Sequence, residues 1–274
     1  MRSFKEFIFE MKIEHDKYYT PTDTAKHCLN KTFQVIGYNN ITDIIEPSAG
    51  GGVFVSLWPF VTAYDIEPEH PDIIKQDFLE LNIPYKKGRL FIGNPPYGRG
   101  MYLAIKFFKK CVELGDYISF ILPISQLDNS NVLYEFDLVY SEDLGNLKYT
   151  DRELHCCFNI YRRPLNNKPN PKPSYDIKDI TIIRQDHKDY DDIQNYDIRM
   201  VYWGSGCAGR ILSPEDRKFA GEYKIIIHND LLRDKIKDVL INYDWKKEIK
   251  KIAMTRIKQY DIYRVLKNEI PNFS

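Results

Sequence analysis

The stretch Ile41-Thr-Asp-Ile-Ile-Glu-Pro-Ser-Ala-Gly-Gly-Gly52 decides how the rest of the chain is read. Ile41 to Ile45 is β-branched and apolar enough for a buried strand, and it runs straight into a proline and three glycines. Glycines at such a junction admit positive φ and let the backbone approach a ligand with no Cβ in the way. An ordinary tight loop would use the same residues, so the turn gains meaning only together with the segments on its C-terminal side.

Working outward, the same strand-then-turn pattern recurs. Val61-Thr-Ala-Tyr-Asp65, Arg89-Leu-Phe-Ile-Gly93 and Tyr117-Ile-Ser-Phe-Ile-Leu122 read as strands. Between them Tyr102, Ile105, Phe108 and Val112 fall on one helical face, and an earlier helix starting near Pro21 or Thr22 buries Ala25, Cys28, Leu29 and Phe33. Strands alternating with helices predict an open, mostly parallel α/β sheet, whose ligands gather at the carboxyl ends of the strands.

The chemistry of those ends is acidic. Residues 41–80 hold eight acids against the single Lys75, a net charge of −7, within a chain whose 39 basic and 39 acidic side chains cancel. No G-K-S or G-K-T follows the glycines and no G-x-G-x-x-G is present, so a phosphate cradle is excluded. Glu46 would repel phosphate and attract an ammonium or sulfonium. Asp65, ending the next strand, suits ribose hydroxyls, and Asp77 suits an adenine amino group. A nucleoside without phosphates fits this pattern better than ATP or NAD.

The most specific motif is Asn94-Pro95-Pro96-Tyr97, directly after the strand ending at Gly93. Two prolines stiffen the backbone and remove two N–H donors, which leaves carbonyls as acceptors. Asn94 adds a side-chain carbonyl and Tyr97 an aromatic face, so the site is expected to accept hydrogen bonds from a planar NH₂ while a ring lies on Tyr97.

These motifs together resemble the S-adenosylmethionine-dependent DNA adenine-N6 methyltransferases. Lys17-Tyr18-Tyr19-Thr20-Pro21 resembles their N-terminal cofactor motif, Glu46-Pro47-Ser48-Ala49-Gly50-Gly51-Gly52 their glycine turn, and Asn94-Pro95-Pro96-Tyr97 their catalytic motif, in the gamma order. The resemblance covers residues 15–163. It implies a Rossmann-like methyltransferase sheet with a small C-terminal α+β recognition region, and S-adenosyl-L-methionine as cofactor. That cofactor would be bound by Tyr18, Tyr19, Thr20, Pro21, Glu46, Pro47, Ser48, Ala49, Gly50, Gly52, Asp65, Asp77 and Asn94. It also implies double-stranded DNA as partner, with a cognate restriction endonuclease as genetic partner and a monomer or weak dimer as the working form. Methyltransferases of RNA bases and of protein glutamine share the tetrapeptide, and an inactive nucleic-acid-binding module would also retain it.

The expected organisation is a catalytic domain over 1–163, a proline-rich connector over 164–174 and a recognition region over 175–274. Four prolines between Pro164 and Pro173 exclude a central strand or helix there. In the last region, strands are expected near 177–183, 198–203 and 223–228. Arg199 and Arg210 flank a glycine-rich loop that reads either as a DNA contact or as a plain turn with Trp203 packed. Residues 245–266 read as one helix, with Lys246, Lys247, Lys250 and Lys251 facing a polyanion. The five cysteines form no C-x-x-C pair and the six histidines no H-E-x-x-H, so no metal is expected. No apolar run reaches the roughly 20 residues of a bilayer span, which predicts a cytoplasmic protein.

Overall fold

The computed structural model describes residues 19–149, 153–173, 177–186, 195–204, 206–219, 221–247 and 256–274. The chain divides into two compact units, Met1–Pro173 and Ser174–Ser274.

The first unit is built on β1 (Asp43–Glu46), β2 (Val61–Asp65), β3 (Ile73–Lys75), β4 (Arg89–Gly93), β5 (Tyr117–Pro123), β6 (Asp137–Lys148) and β7 (Glu153–Arg162). They form one seven-stranded sheet in the order β3-β2-β1-β4-β5-β7-β6. The pairings from β3 to β5 are parallel, and β7 runs antiparallel to both β5 and β6. This is the Rossmann-like methyltransferase sheet expected from sequence. Helix α1 (Thr22–Ile36), the short α2 (Val53–Leu57) and α3 (Tyr102–Leu114) supply its cover.

Every residue of β4 is buried, as a central parallel strand covered on both faces requires. The pleat then sorts its side chains. Leu90 and Ile92 share a core with Ala25, Cys28 and Leu29 of α1, whereas Phe91 joins Phe107, Phe108 and Cys111 of α3 in a second core. Phe108 is fully buried and meets the Tyr161 ring edge-on at 4.9 Å. Truncating a side chain placed like this to alanine costs about 3–5 kcal/mol.

Strand β6 has no counterpart among the expected elements. It is an edge strand of mostly half-buried residues, Asp137 and Glu142 among them, with Asp143 exposed, and its pairing with β7 is interrupted by two register shifts. Charges and bulges of this kind protect a sheet edge and blur the period-2 apolar pattern. The prolines after β7 run along the first unit: Asn170 donates its backbone N–H to the Glu135 carbonyl and its side-chain amide to Asp137.

The second unit is α+β. Strands β8 (Ile180–Asp186), β9 (Ile198–Val201), β10 (Ile211–Leu212) and β11 (Gly221–Ile227) form an antiparallel sheet in the order β10-β9-β11-β8. Ile182, Met200, Tyr223 and Ile225 from this sheet share a core with Ile236 and Leu240 of α4 (Arg233–Asn242) and with Ile262 and Leu266 of α5 (Gln259–Glu269). The single helix expected over 245–266 is a correction. Arg256 forms an isolated β-bridge with Trp203, Lys258 is extended backbone at the N-cap of α5, and the later helix runs on to Glu269. Lys250 and Lys251 lie outside the described residues.

No helix among the described residues is long and apolar enough to cross a membrane.

Candidate functional site

Strand β1 ends in Glu46, and the glycine turn begins at once. Gly52 donates its N–H to the Ala49 carbonyl at 2.8 Å, and Ala49 in turn donates to the Tyr64 carbonyl at 3.0 Å, which ties the turn to β2. Gly52 caps α2 at φ +77°, and a Cβ there would stand 2.8 Å from the Cβ of His70. Gly51 faces the Tyr19 ring, which a Cβ would meet at 3.2 Å. Gly52 therefore demands glycine, for its conformation and for the closeness of His70, whereas a Cβ at Gly51 would only crowd the Tyr19 ring.

The turn is held from the next strand. Asp65, at the end of β2, accepts the Gly50 N–H at 2.8 Å on one oxygen and the Glu67 N–H at 2.8 Å on the other. Each oxygen keeps a further lone pair. Asp77 follows β3 and caps a short 3₁₀ turn by accepting the Leu79 N–H at 2.8 Å. Tyr19 donates its hydroxyl to the Glu69 carboxylate, with oxygens at 2.7 and 2.8 Å.

These elements enclose a cavity of about 660 Å³, lined among others by Thr20, Glu46, Gly50, Asp65, Asp77 and Asn94, with Phe78 and Phe107 as apolar wall. It lies at the carboxyl ends of β1, β2 and β4, where an open α/β sheet binds its ligands. Phe107 both packs in the core and lines the cavity. Three carboxylates face the space, and among the described residues no lysine, arginine or histidine lines it. Glu46 is 2% exposed, and its Oε2 has no hydrogen-bond partner among the described residues. Burial pushes its carboxyl well above the usual carboxylate range, and the neighbouring Asp65 charge adds to the rise. A ligand cation would remove both penalties, whereas a phosphate would aggravate them.

Asn94 borders the same cavity. Its Nδ2 donates to Thr20 Oγ1 and to the Tyr149 hydroxyl, both at 3.3 Å, and its Oδ1 accepts the Tyr97 hydroxyl at 2.8 Å. The amide is thus fixed from both ends, with one Oδ1 lone pair left over. The Pro95 carbonyl accepts no hydrogen bond among the described residues. Tyr97 departs from the expected open aromatic face. It is 6% exposed, is absent from the cavity lining, and its hydroxyl lies 3.8 Å from Cys156 Sγ. Burial raises its hydroxyl pKa well above normal, so it stays a donor to Asn94. Tyr149 escapes the sequence because it ends the unrecognised β6 hairpin and belongs to no motif.

Of the remaining expected residues, Thr20, Pro47, Ser48, Ala49 and Pro96 line the cavity with those already named, and Pro21 is the N-cap of α1. Tyr18 lies outside the described residues. Arg199 is a correction. It is 5% exposed and locked to Glu222, at 3.0 and 3.1 Å through two nitrogens, with the Ser213 carbonyl at 2.9 Å. A guanidinium used this way cannot reach a base edge. Arg210 is half exposed and bonds Asp216 at 2.8 Å, while Lys246 and Lys247 are exposed. Trp203 is 56% exposed rather than packed.

No family model matches the chain. Two curated relatives share sequence with it: the type II methyltransferases M.HincII and M.HindII of Haemophilus influenzae, each 31% identical over 103 residues and 34% of this chain. The chain spans about a fifth of their length, 19% and 18% respectively. Among solved structures, a Thermoplasma acidophilum protein aligns at TM-score 0.42 and 19% identity over 56% of this chain and 96% of its own. The M. jannaschii tRNA m1G37 methyltransferase aligns at TM-score 0.36 and 18% identity over 54% and 52%. The first unit is thus a mixed, mostly parallel seven-stranded α/β sheet, and a stretch of 103 residues of the chain is similar in sequence to part of two type II methyltransferases.

Proposed function

We propose that the protein transfers the methyl group of S-adenosylmethionine to the N6 amine of an adenine in double-stranded DNA. The observation that carries this reading is the position of Asn94-Pro95-Pro96-Tyr97 at the end of β4, bordering an acidic cavity with no cationic side chain among its described lining residues. The likeness to type II methyltransferases supports the reaction class.

The residues fit the cofactor. Glu46, with its orphaned buried oxygen, would hold the ammonium or sulfonium. Asp65 would take ribose hydroxyls with its free lone pairs. Asp77 would accept the adenine amine, and Phe78 and Phe107 would flank the apolar part. When bound, S-adenosylmethionine supplies an electrophilic methyl group on positively charged sulfur.

The chain's own groups prepare the nucleophile. An adenine N6 delocalises its lone pair into the ring, and accepting both of its hydrogens draws density back onto nitrogen. The remaining lone pair of Asn94 Oδ1 and the Pro95 carbonyl, which accepts no hydrogen bond among the described residues, are the two acceptors. Tyr97 and Tyr149 hold the Asn94 amide so that oxygen, not nitrogen, is presented. Preorganised dipoles of this kind contribute a few kcal/mol each. The target N6 is out of reach inside a stacked duplex, so the base must be flipped out.

The test is transfer of labelled methyl from the cofactor to unmethylated genomic DNA, total RNA and a protein pool, each offered separately. Label in DNA alone, absent with Asn94→Ala, is expected. Label confined to RNA or to protein amides would replace adenine in DNA as the substrate.

A further inference from the structure

The second unit contains a cavity of about 520 Å³ that none of the sequence motifs accounts for. Its lining includes Arg184, Arg256, Lys258, Tyr223, Tyr260 and Tyr263, and no carboxylate among the described residues lines it. Its volume is that of pockets holding whole small ligands rather than single ions.

The cations are crowded together. The Arg184 and Arg256 guanidinium groups lie 5.2 and 5.4 Å from the centre of the same Tyr202 ring, which itself stacks on Tyr223 at 4.6 Å. Arg184 also donates to the Tyr202 hydroxyl at 2.8 Å. Arg256 Nε is buried and has no hydrogen-bond partner among the described residues. A buried donor left in that state calls for a ligand acceptor, since an unmet charged donor is costly. Helix α5 starts at the cavity, and its first-turn acid Asp261 is bonded to the Lys258 N–H at 2.8 Å.

We propose that this cavity binds a nucleotide unit. The phosphate sits on Arg256, Arg184 and Lys258, and the base lies against the tyrosine walls, where stacking tolerates any base. The chemistry is binding alone, so it stands whether or not the first unit transfers methyl groups.

The experiment uses the full chain with thymidine 5′-monophosphate, thymidine and a fluorescent thymidine oligonucleotide as probes, read by calorimetry and fluorescence anisotropy. Thymidine monophosphate is expected to bind and thymidine to bind far more weakly. Arg256→Gln should weaken the nucleotide roughly tenfold or more, as loss of a charged hydrogen bond does. Lys258→Gln should weaken it severalfold and lower the salt dependence of oligonucleotide binding. Circular dichroism and the unfolding midpoint check that each variant folds. Lys258 has an exposed side chain and keeps the test alive if Arg256→Gln does not fold. Displacement of the mononucleotide by the oligonucleotide identifies the source as a nucleic-acid strand, whereas failure to displace identifies it as a free nucleotide. Absence of nucleotide and oligonucleotide binding in the wild type, or unchanged affinity in folded variants, would overturn the proposal.

Discussion

Glu46 lies at the end of β1 with one oxygen buried and without a hydrogen-bond partner among the described residues. Its carboxyl is raised above the ordinary value of 4.5 because burial disfavours the charged form. A raised carboxyl stabilises the ligand-free fold fully below about pH 4.5 and loses that contribution as pH climbs through the folded value. Glu46→Gln should therefore unfold at a higher temperature than wild type in neutral buffer, with the difference vanishing toward pH 4. Cofactor binding has the opposite sign, because a cation favours ionised Glu46. Calorimetry in two buffers of different ionisation enthalpy should detect proton release on S-adenosylmethionine binding to wild type and less, with weaker affinity, in Glu46→Gln. A variant less stable than wild type at every pH would exclude this role. At Asn94 the expected effect is on rate. Asn94→Ala should retain much of its cofactor binding and lose at least 100-fold in turnover, about 2.7 kcal/mol. Tyr97→Phe, which removes only the hydroxyl that orients Asn94, should lower kcat with little change in cofactor affinity. Steady-state kinetics of the two variants separate the direct contact from the positioning one.

Strand elements were legible from sequence where burial is two-sided. β2 and β4 carry continuous apolar or alternating patterns, and their ends coincide with the acidic and Asn-Pro-Pro-Tyr motifs. β6 was not legible, since an edge strand with bulges and charges lacks a period. The basic run after residue 244 preserves a helical face across a break that only its contacts reveal: the Trp203–Arg256 bridge pulls one position out into a strand-like pairing. Within the candidate site, the acids and the tetrapeptide were readable because their chemistry is local. The inward turn of Tyr97 and the partner Tyr149 were not, because both depend on Cys156 of β7 and on Tyr149, after β6, meeting the Asn94–Tyr97 side chains in space. Arg199 misleads for a related reason. On β9 it pairs opposite Lys224 of β11, and its side chain meets the fully buried Glu222. Arg199→Ala should consequently destabilise the second unit by about 3–5 kcal/mol, the cost of stranding a buried charge. Denaturant unfolding monitored at Trp203 and Trp245 checks this. A variant as stable as wild type but with altered DNA sequence preference would contradict it.

Each unit of the whole molecule has its own hydrophobic core, one pair on the two faces of the seven-stranded sheet and one between the antiparallel sheet and its helices. A unit with a private core can fold by itself. Residues 174–274 expressed alone should therefore unfold cooperatively, and residues 1–173 should bind S-adenosylmethionine; calorimetric scans of the two fragments test this, and a non-cooperative melt for either would contradict it. The division of charge, acidic around the strand ends of the first unit and basic toward the C-terminus, suits a cationic cofactor and a polyanionic substrate held by different parts of one chain. The most direct test of methyl transfer to adenine N6 is to treat unmethylated genomic DNA with the protein and S-adenosylmethionine and then to sequence it for modified bases. N6-methyladenine at one recurring sequence, absent after treatment with Asn94→Ala, is the expected result. DNA left unmodified by a folded, cofactor-binding protein, or methylated at another base, would contradict it.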